Sequence, residues 1–127
     1  MQVYKVEKKM RLNKQDAIKY QILTEVVFLK NEILIESDIN ILVLLAAWGP
    51  IELSTFCNEA AKKLYVIEKM EEFSVKSQNV RNRISKLQKR GIVTKNKEQS
   101  KLIEVDPELN IFTKGNILID YNFLATE

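Results

Sequence analysis

The chain has 127 residues, of which 46% are hydrophobic and 29% charged, and its net charge is +3. These values predict one globular domain with a core of its own, and no apolar run approaches the roughly 18 residues that a membrane span needs. The sequence has no histidine and only three glycines, so we expect no enzymatic activity, metal, cofactor or small-molecule ligand. The charged N-terminal residues and the single cysteine are typical of a cytoplasmic protein.

The first part of the chain is expected to be an arm followed by a helix. Apolar residues recur at near-helical spacing over residues 13–31, where Asn13 can cap the helix and Asp16 lies in its first turn. Residues 24–29 are β-branched and aromatic, which leaves a strand as the alternative for this part. The short apolar run at residues 33–35 is compatible with an edge strand.

Two further helices are predicted in the middle of the chain. Ser37 as a cap and a Gly-Pro stop after residue 48 delimit a helix that is apolar on nearly every side and should form the buried centre of the domain. Residues 53–64 carry one continuous apolar stripe at helical spacing. The single cysteine, Cys57, lies inside this stripe, so we expect a buried and unreactive thiol.

The segment SQNVRNRISKLQKRGIV is predicted to form a basic amphipathic helix over residues 77–90. Ser77 can cap this helix and Gly91 can end it. Its inward face is expected to consist of residues at i, i+4 and i+7: Val80, Ile84 and Leu87. Residues that point away from this face are Gln78, Asn82, Ser85, Lys86 and Lys89, and Arg81 and Arg83 lie on its flanks.

The positive charge is concentrated in one part of the chain. Between Lys76 and Lys101, nine Lys and Arg residues stand against one acid, Glu98, which gives +8 over 26 residues and leaves 3 − 8 = −5 for the other 101. The connector before this stretch, residues 65–76, has an acidic patch of its own. Such an asymmetry indicates a polyanion or an acidic protein surface as the partner.

The last third of the chain is predicted to be mostly β-structure. Residues 92–95 and 102–105 read as a hairpin, and an Asp-Pro pair ends its second strand. A final strand is expected where apolar residues alternate: Ile117, Ile119, Tyr121 and Phe123. The apolar face of that strand must be covered, either by residues 2–6 or by another subunit.

The order helix, helix, basic helix and two-stranded hairpin resembles the winged helix-turn-helix superfamily, in its small phage or bacterial form. The most specific part is NVRNRISKLQKRGIV, since an apolar–R–N–R–I–x–x–L–x–x–x–G–I–V pattern is found in many winged recognition helices. The resemblance covers about residues 33–107. It implies a mainly α fold with a small β-hairpin, extended by an arm and helix (1–32) and by a C-terminal strand (108–127) into one compact domain. The connector of about twelve residues before the basic helix is longer than the turn usual in this family.

The resemblance implies a non-enzymatic DNA-binding protein, a transcriptional or phage regulator that uses helix 77–90 and wing 92–105. Gln, Asn and Arg read base edges and Lys suits phosphates, so the best base readers are Gln78, Asn79 and Asn82. The predicted contacts to duplex DNA are Lys76, Ser77, Gln78, Asn79, Arg81, Asn82, Arg83, Lys86, Lys89, Lys95, Lys97 and Lys101.

The alternative is a structural or assembly component, for example of a phage particle, whose basic face docks an acidic protein surface. The modest net charge, the acidic connector and the extended, apolar-alternating ends of the chain favour it. The partner would then be another protein, or further copies of the chain joined through the termini. The protein would act in the virion or the host cytoplasm. Fold alone does not choose between the two.

Overall fold

The computed structural model describes residues 3–68, 77–114 and 118–126, and the side chains of residues 12–64 and 77–114. In chain order its elements are β1 (Val3–Arg11), α1 (Lys14–Ile22), a π-helical segment (Leu23–Leu29), α2 (Glu36–Trp48), β2 (Ile51–Glu52), α3 (Leu53–Glu68), α4 (Ser77–Lys89), β3 (Val93–Lys95), β4 (Leu102–Val105), a 3₁₀ turn (Pro107–Leu109) and β5 (Leu118–Thr126). The predicted combination of mainly helical structure with a small antiparallel sheet is confirmed. None of the helices in these ranges combines the length and hydrophobicity that crossing a bilayer would require. The predictions for Lys76, for the acidic patch of the connector (residues 65–76) and for the apolar side chains of the last strand lie outside the described residues and side chains.

The first helix starts as predicted but changes its winding halfway. Asn13 caps α1, since its Oδ1 accepts from the Asp16 backbone N–H at 2.8 Å. The helix was correctly preferred to a strand, but a regular α-helix to residue 31 was wrong, because a π-helix follows from Leu23. The Thr24 hydroxyl donates to the Tyr20 carbonyl at 2.9 Å, and such a bond back to the preceding turn disturbs regular α-helical winding.

The N-cap of the central helix α2 lies two residues earlier than predicted. Its N-cap is Ile35, which makes no side-chain capping bond, and Ser37 lies inside the first turn, so Ser37 as the cap was wrong. The predicted edge strand at residues 33–35 is also absent, because the Ile33 carbonyl accepts from the Arg90 guanidinium at 2.6 Å instead of from a neighbouring strand. Gly49 ends α2 as predicted, at φ 74°, where a glycine is favoured.

The core forms around α2, as its apolar surface predicted. Leu44 and Leu45 are 4% and 0% exposed. Every helix with described side chains contributes buried residues to the same cluster, which includes Ile18 and Ile22 of α1, Phe56 and Cys57 of α3, and Val80, Ile84 and Leu87 of α4. Leu109 joins it from the segment beyond the hairpin. The first helix and the 3₁₀ turn therefore belong to the same packed body as α2–α4.

The predicted hairpin is present, and it has a third strand. β3 and β4 pair antiparallel with Val93 opposite Val105, and β2 pairs with the other edge of β4. Sequence analysis missed β2 because two residues are too few to show an alternation. At the hairpin tip, Asn96 Oδ1 accepts from the backbone N–H groups of Glu98 and Gln99 at 3.0 and 2.9 Å, which holds the turn closed.

A second sheet joins the two ends of the chain. β1 and β5 pair antiparallel over nine residues each, from Val3 opposite Thr126 to Arg11 opposite Leu118. The predicted C-terminal strand is thus confirmed. The N-terminal residues lie beside that strand as a hydrogen-bonded neighbour, and what covers the face of this ribbon stays a prediction.

Candidate nucleic-acid interface

The orientation of α4 agrees with the rotation expected from its sequence. Val80, Ile84 and Leu87 are at most 2% exposed and face the core. The residues predicted to point away are exposed: Gln78, Asn82, Ser85, Lys86 and Lys89. α3 continues to Glu68, four residues beyond its predicted end, so residues 69–76 separate it from α4. The helix thus presents one continuous polar side to solvent.

The end of α4 is closed by a glycine motif that positions the hairpin. The Gly91 N–H donates to the Gln88 carbonyl and the Ile92 N–H to the Leu87 carbonyl, both at 3.0 Å, with Gly91 at φ 75°. This arrangement turns the chain directly from α4 into β3. It also occupies carbonyls of the last turn, which would otherwise repel an anion.

The arginines of the basic segment bind to other residues of the same chain. Arg81 Nη2 donates to Ser54 Oγ of α3 at 3.0 Å, and Arg83 Nη1 lies 3.7 Å from Oδ1 of Asp38, whose side chain is only 10% exposed. Arg90 Nη2 lies 2.7 Å from Glu32 Oε2. These guanidinium groups join α4 to α3, to α2 and to the segment before α2.

The amides near the start of α4 form a pair on its exposed side. Gln78 Nε2 donates to Asn82 Oδ1 at 2.9 Å, one helical turn apart. The pair leaves Gln78 Oε1 as an acceptor and Asn82 Nδ2 as a donor for an external ligand. An adjacent acceptor and donor are the groups that a base edge in the major groove matches.

The lysines of α4 and the hairpin differ from the arginines. Lys86, Lys89, Lys95, Lys97 and Lys101 are all exposed, and within the described part of the chain none of them has an acidic side chain within ion-pair distance. No described carboxylate therefore neutralises their charge. A phosphate backbone is a partner that such a group of ammonium ions attracts.

Two of these lysines, Lys89 and Lys95, line a cleft between α4 and β3. The cleft has a volume of about 430 Å³ and is lined by Ser85, Gln88, Lys89, Val93, Thr94 and Lys95. Apart from the apolar Val93, its lining side chains are hydroxyls, an amide and two ammonium groups, and no carboxylate is among them. Such a set of donors suits an anion. Sequence analysis placed Lys89 and Lys95 among the DNA contacts but did not include Ser85, Gln88 and Thr94. The i, i+4 spacing of Ser85 and Lys89 was the signal that could have added Ser85 to the site.

A second cavity, of about 370 Å³, lies between the end of α2 and residues 104–113. Glu104 and Asp106 are its only charged lining residues. No group of three potential metal ligands occurs among the residues that the structure describes.

Cys57 is fully buried, as predicted. This burial raises the pKa of its thiol, and the nearby charge of Arg81 partly offsets the rise. Its lack of reactivity stays a prediction.

Comparison with known proteins found no family model, no curated protein and no solved structure that matches this chain.

Proposed function

We propose that this chain is a non-enzymatic winged-helix DNA-binding protein that acts in the cytoplasm as a transcriptional or phage regulator. In this proposal α4 is the recognition helix and the β3–β4 hairpin is the wing. The order of the elements and the buried side of α4 support it. The observation that carries the proposal is the cleft between α4 and β3, which Lys89 and Lys95 both line and where neither forms an ion pair with a described acidic side chain.

One set of residues contacts the bases of the duplex and another set contacts its phosphates. The paired amides of Gln78 and Asn82 read base edges from the first turns of α4, which enters the major groove. The lysines on either side of the cleft bind backbone phosphates, which position the protein without selecting a sequence. Arg81 and Arg83 orient the helix through α3 and α2, and their contribution to the DNA contact is smaller than their charge suggests.

The competing proposal is an assembly component whose basic face docks an acidic protein surface. The internal bonds of Arg81 and Arg83 favour it, because they leave fewer groups that pair with base edges in two hydrogen bonds. An acidic protein surface and a phosphate backbone both attract lysine. They differ in salt dependence and in the response to double-stranded DNA as a competitor.

Binding of the purified chain to a fluorescent duplex over a salt series tests the proposal. Replacing Lys89 or Lys95 by Ala should weaken binding to all sequences alike and reduce the slope of log affinity against log salt by about 0.9 for each lost phosphate contact. Lys14→Ala, on α1, is the matched control and should leave the slope unchanged. No affinity for duplex DNA even at low salt would refute DNA binding and favour the assembly proposal.

A further inference from the structure

A group of apolar side chains is exposed around the end of the π-helical segment and in the loop before α2. Ile33 is 85% exposed, Phe28 74%, Leu29 69% and Ile35 44%. We call these four residues the apolar patch. Single exposed apolar side chains are ordinary on protein surfaces, but four large ones within eight residues of chain are typical of an interaction surface.

The loop that carries Ile33 is held in place by Arg90, the residue that follows α4. Arg90 donates from Nη2 to the Ile33 carbonyl at 2.6 Å and to Glu32 Oε2 at 2.7 Å. The Glu32 N–H donates to the Val26 carbonyl at 3.1 Å, which closes the loop onto the π-helical segment. The patch is thus formed before any partner arrives, and little conformational entropy is lost when it binds.

The size and the charges of the patch point to another copy of the chain as its partner. Four side chains with these exposures present several hundred Å² of apolar surface, enough for the centre of a standard interface of roughly 800 Å² per partner. Both signs of charge border the patch: Lys30, whose Nζ lies 3.9 Å from Asp106 Oδ2 of its own chain and whose side chain is 48% exposed, and the exposed Glu36. A border with both signs is complementary to itself across a two-fold axis, whereas a border of one sign would select a partner of the opposite sign.

We propose that the apolar patch is a self-association surface that joins two copies of this chain about a two-fold axis. The inference rests on the exposure, rigidity and charge of the patch and not on the proposed function. It differs from association through the chain termini, because the patch lies on the helical body.

The mass of the chain in solution tests this proposal. Light scattering behind a sizing column should give twice the 14.8 kDa of one chain. Ile33→Asp should return the mass to that of one chain, because it would bury an unpaired carboxylate in the apolar part of the interface. Phe112→Asp is the matched control, since Phe112 is 69% exposed outside the patch, and it should remain a dimer. A wild-type chain that is monomeric up to its solubility limit, or an Ile33→Asp variant that remains dimeric, would overturn the proposal.

A cross-linking experiment avoids any dependence on destabilised variants. Ile33→Cys should be joined into covalent dimers by a short bis-maleimide, because residues near a two-fold axis face their own copies. Phe112→Cys should not be joined, and the native Cys57 is fully buried and does not compete. Equal cross-linking of both variants would indicate random collision and would refute the specific interface.

Discussion

The arginines and the lysines of the basic segment have the same formal charge but different surroundings. Arg81 and Arg83 are bonded to Ser54 and Asp38 on other helices, whereas Lys86 and Lys89 have no acidic partner in the described part of the chain. The arginines therefore fix the position of α4, and the lysines remain available to an external anion. A charge run in a sequence contains both kinds, and only the contacts separate them.

Substitutions on the buried and on the exposed side of α4 should differ most in their effect on stability. Ile84→Ala should lower the free energy of unfolding by about 2–5 kcal/mol, because Ile84 is 0% exposed and its removal leaves a cavity. Lys86→Ala, two residues further along the exposed side, should change it by no more than about 0.5 kcal/mol. Urea unfolding followed by circular dichroism measures both. Similar effects of the two substitutions would mean that α4 is rotated differently.

A second experiment separates base reading from charge on the exposed side. Asn82→Ala should cost about 1–3 kcal/mol on the preferred duplex and much less on a scrambled one, because an amide must match the groups of one base. Lys86→Ala should weaken binding to both duplexes equally, since an ammonium ion senses charge density. Selection from a random duplex library supplies the preferred site, and competition binding measures the ratio. Equal losses for Asn82→Ala on the two duplexes would rule out base reading by the Gln78–Asn82 pair.

The smallest expected effect concerns the structural role of the arginines. A double-mutant cycle of Arg83→Ala and Asp38→Asn should give a coupling of about 0.5–1 kcal/mol, modest because the Arg83 side chain is 39% exposed. The Lys62–Glu59 pair, with side chains 74% and 52% exposed, is the control and should couple by no more than about 0.3 kcal/mol. Thermal unfolding of the seven proteins, the wild type and three variants for each pair, supplies the values. A coupling energy at Arg83 no larger than that of the control would mean that the contact with Asp38 does not hold Arg83 in place.

Local periodicity explains which predictions succeeded. The buried side of α4 and the apolar α2 depend on spacings of three and four residues, which the backbone geometry of a helix converts directly into faces. Asn13 was identified as a cap because capping acts within one turn. Ser37 failed as a cap because the chain enters α2 at Ile35. Ile33, two residues before Ile35, is held by Arg90, which is 57 residues away in the chain.

The amino-acid sequence by itself determined the helices α2, α3 and α4, the hairpin, the C-terminal strand and the exposed polar side of α4, because each follows from neighbours along the chain. Only the tertiary structure decided which charged side chains bind other residues of the chain. Arg81 is 27 residues from Ser54 and Arg90 is 58 residues from Glu32. It also brought Lys89 and Lys95 to one cleft and left the apolar patch uncovered. These features depend on how the helices pack around α2, and packing brings together residues whose separation along the chain carries no periodic signal.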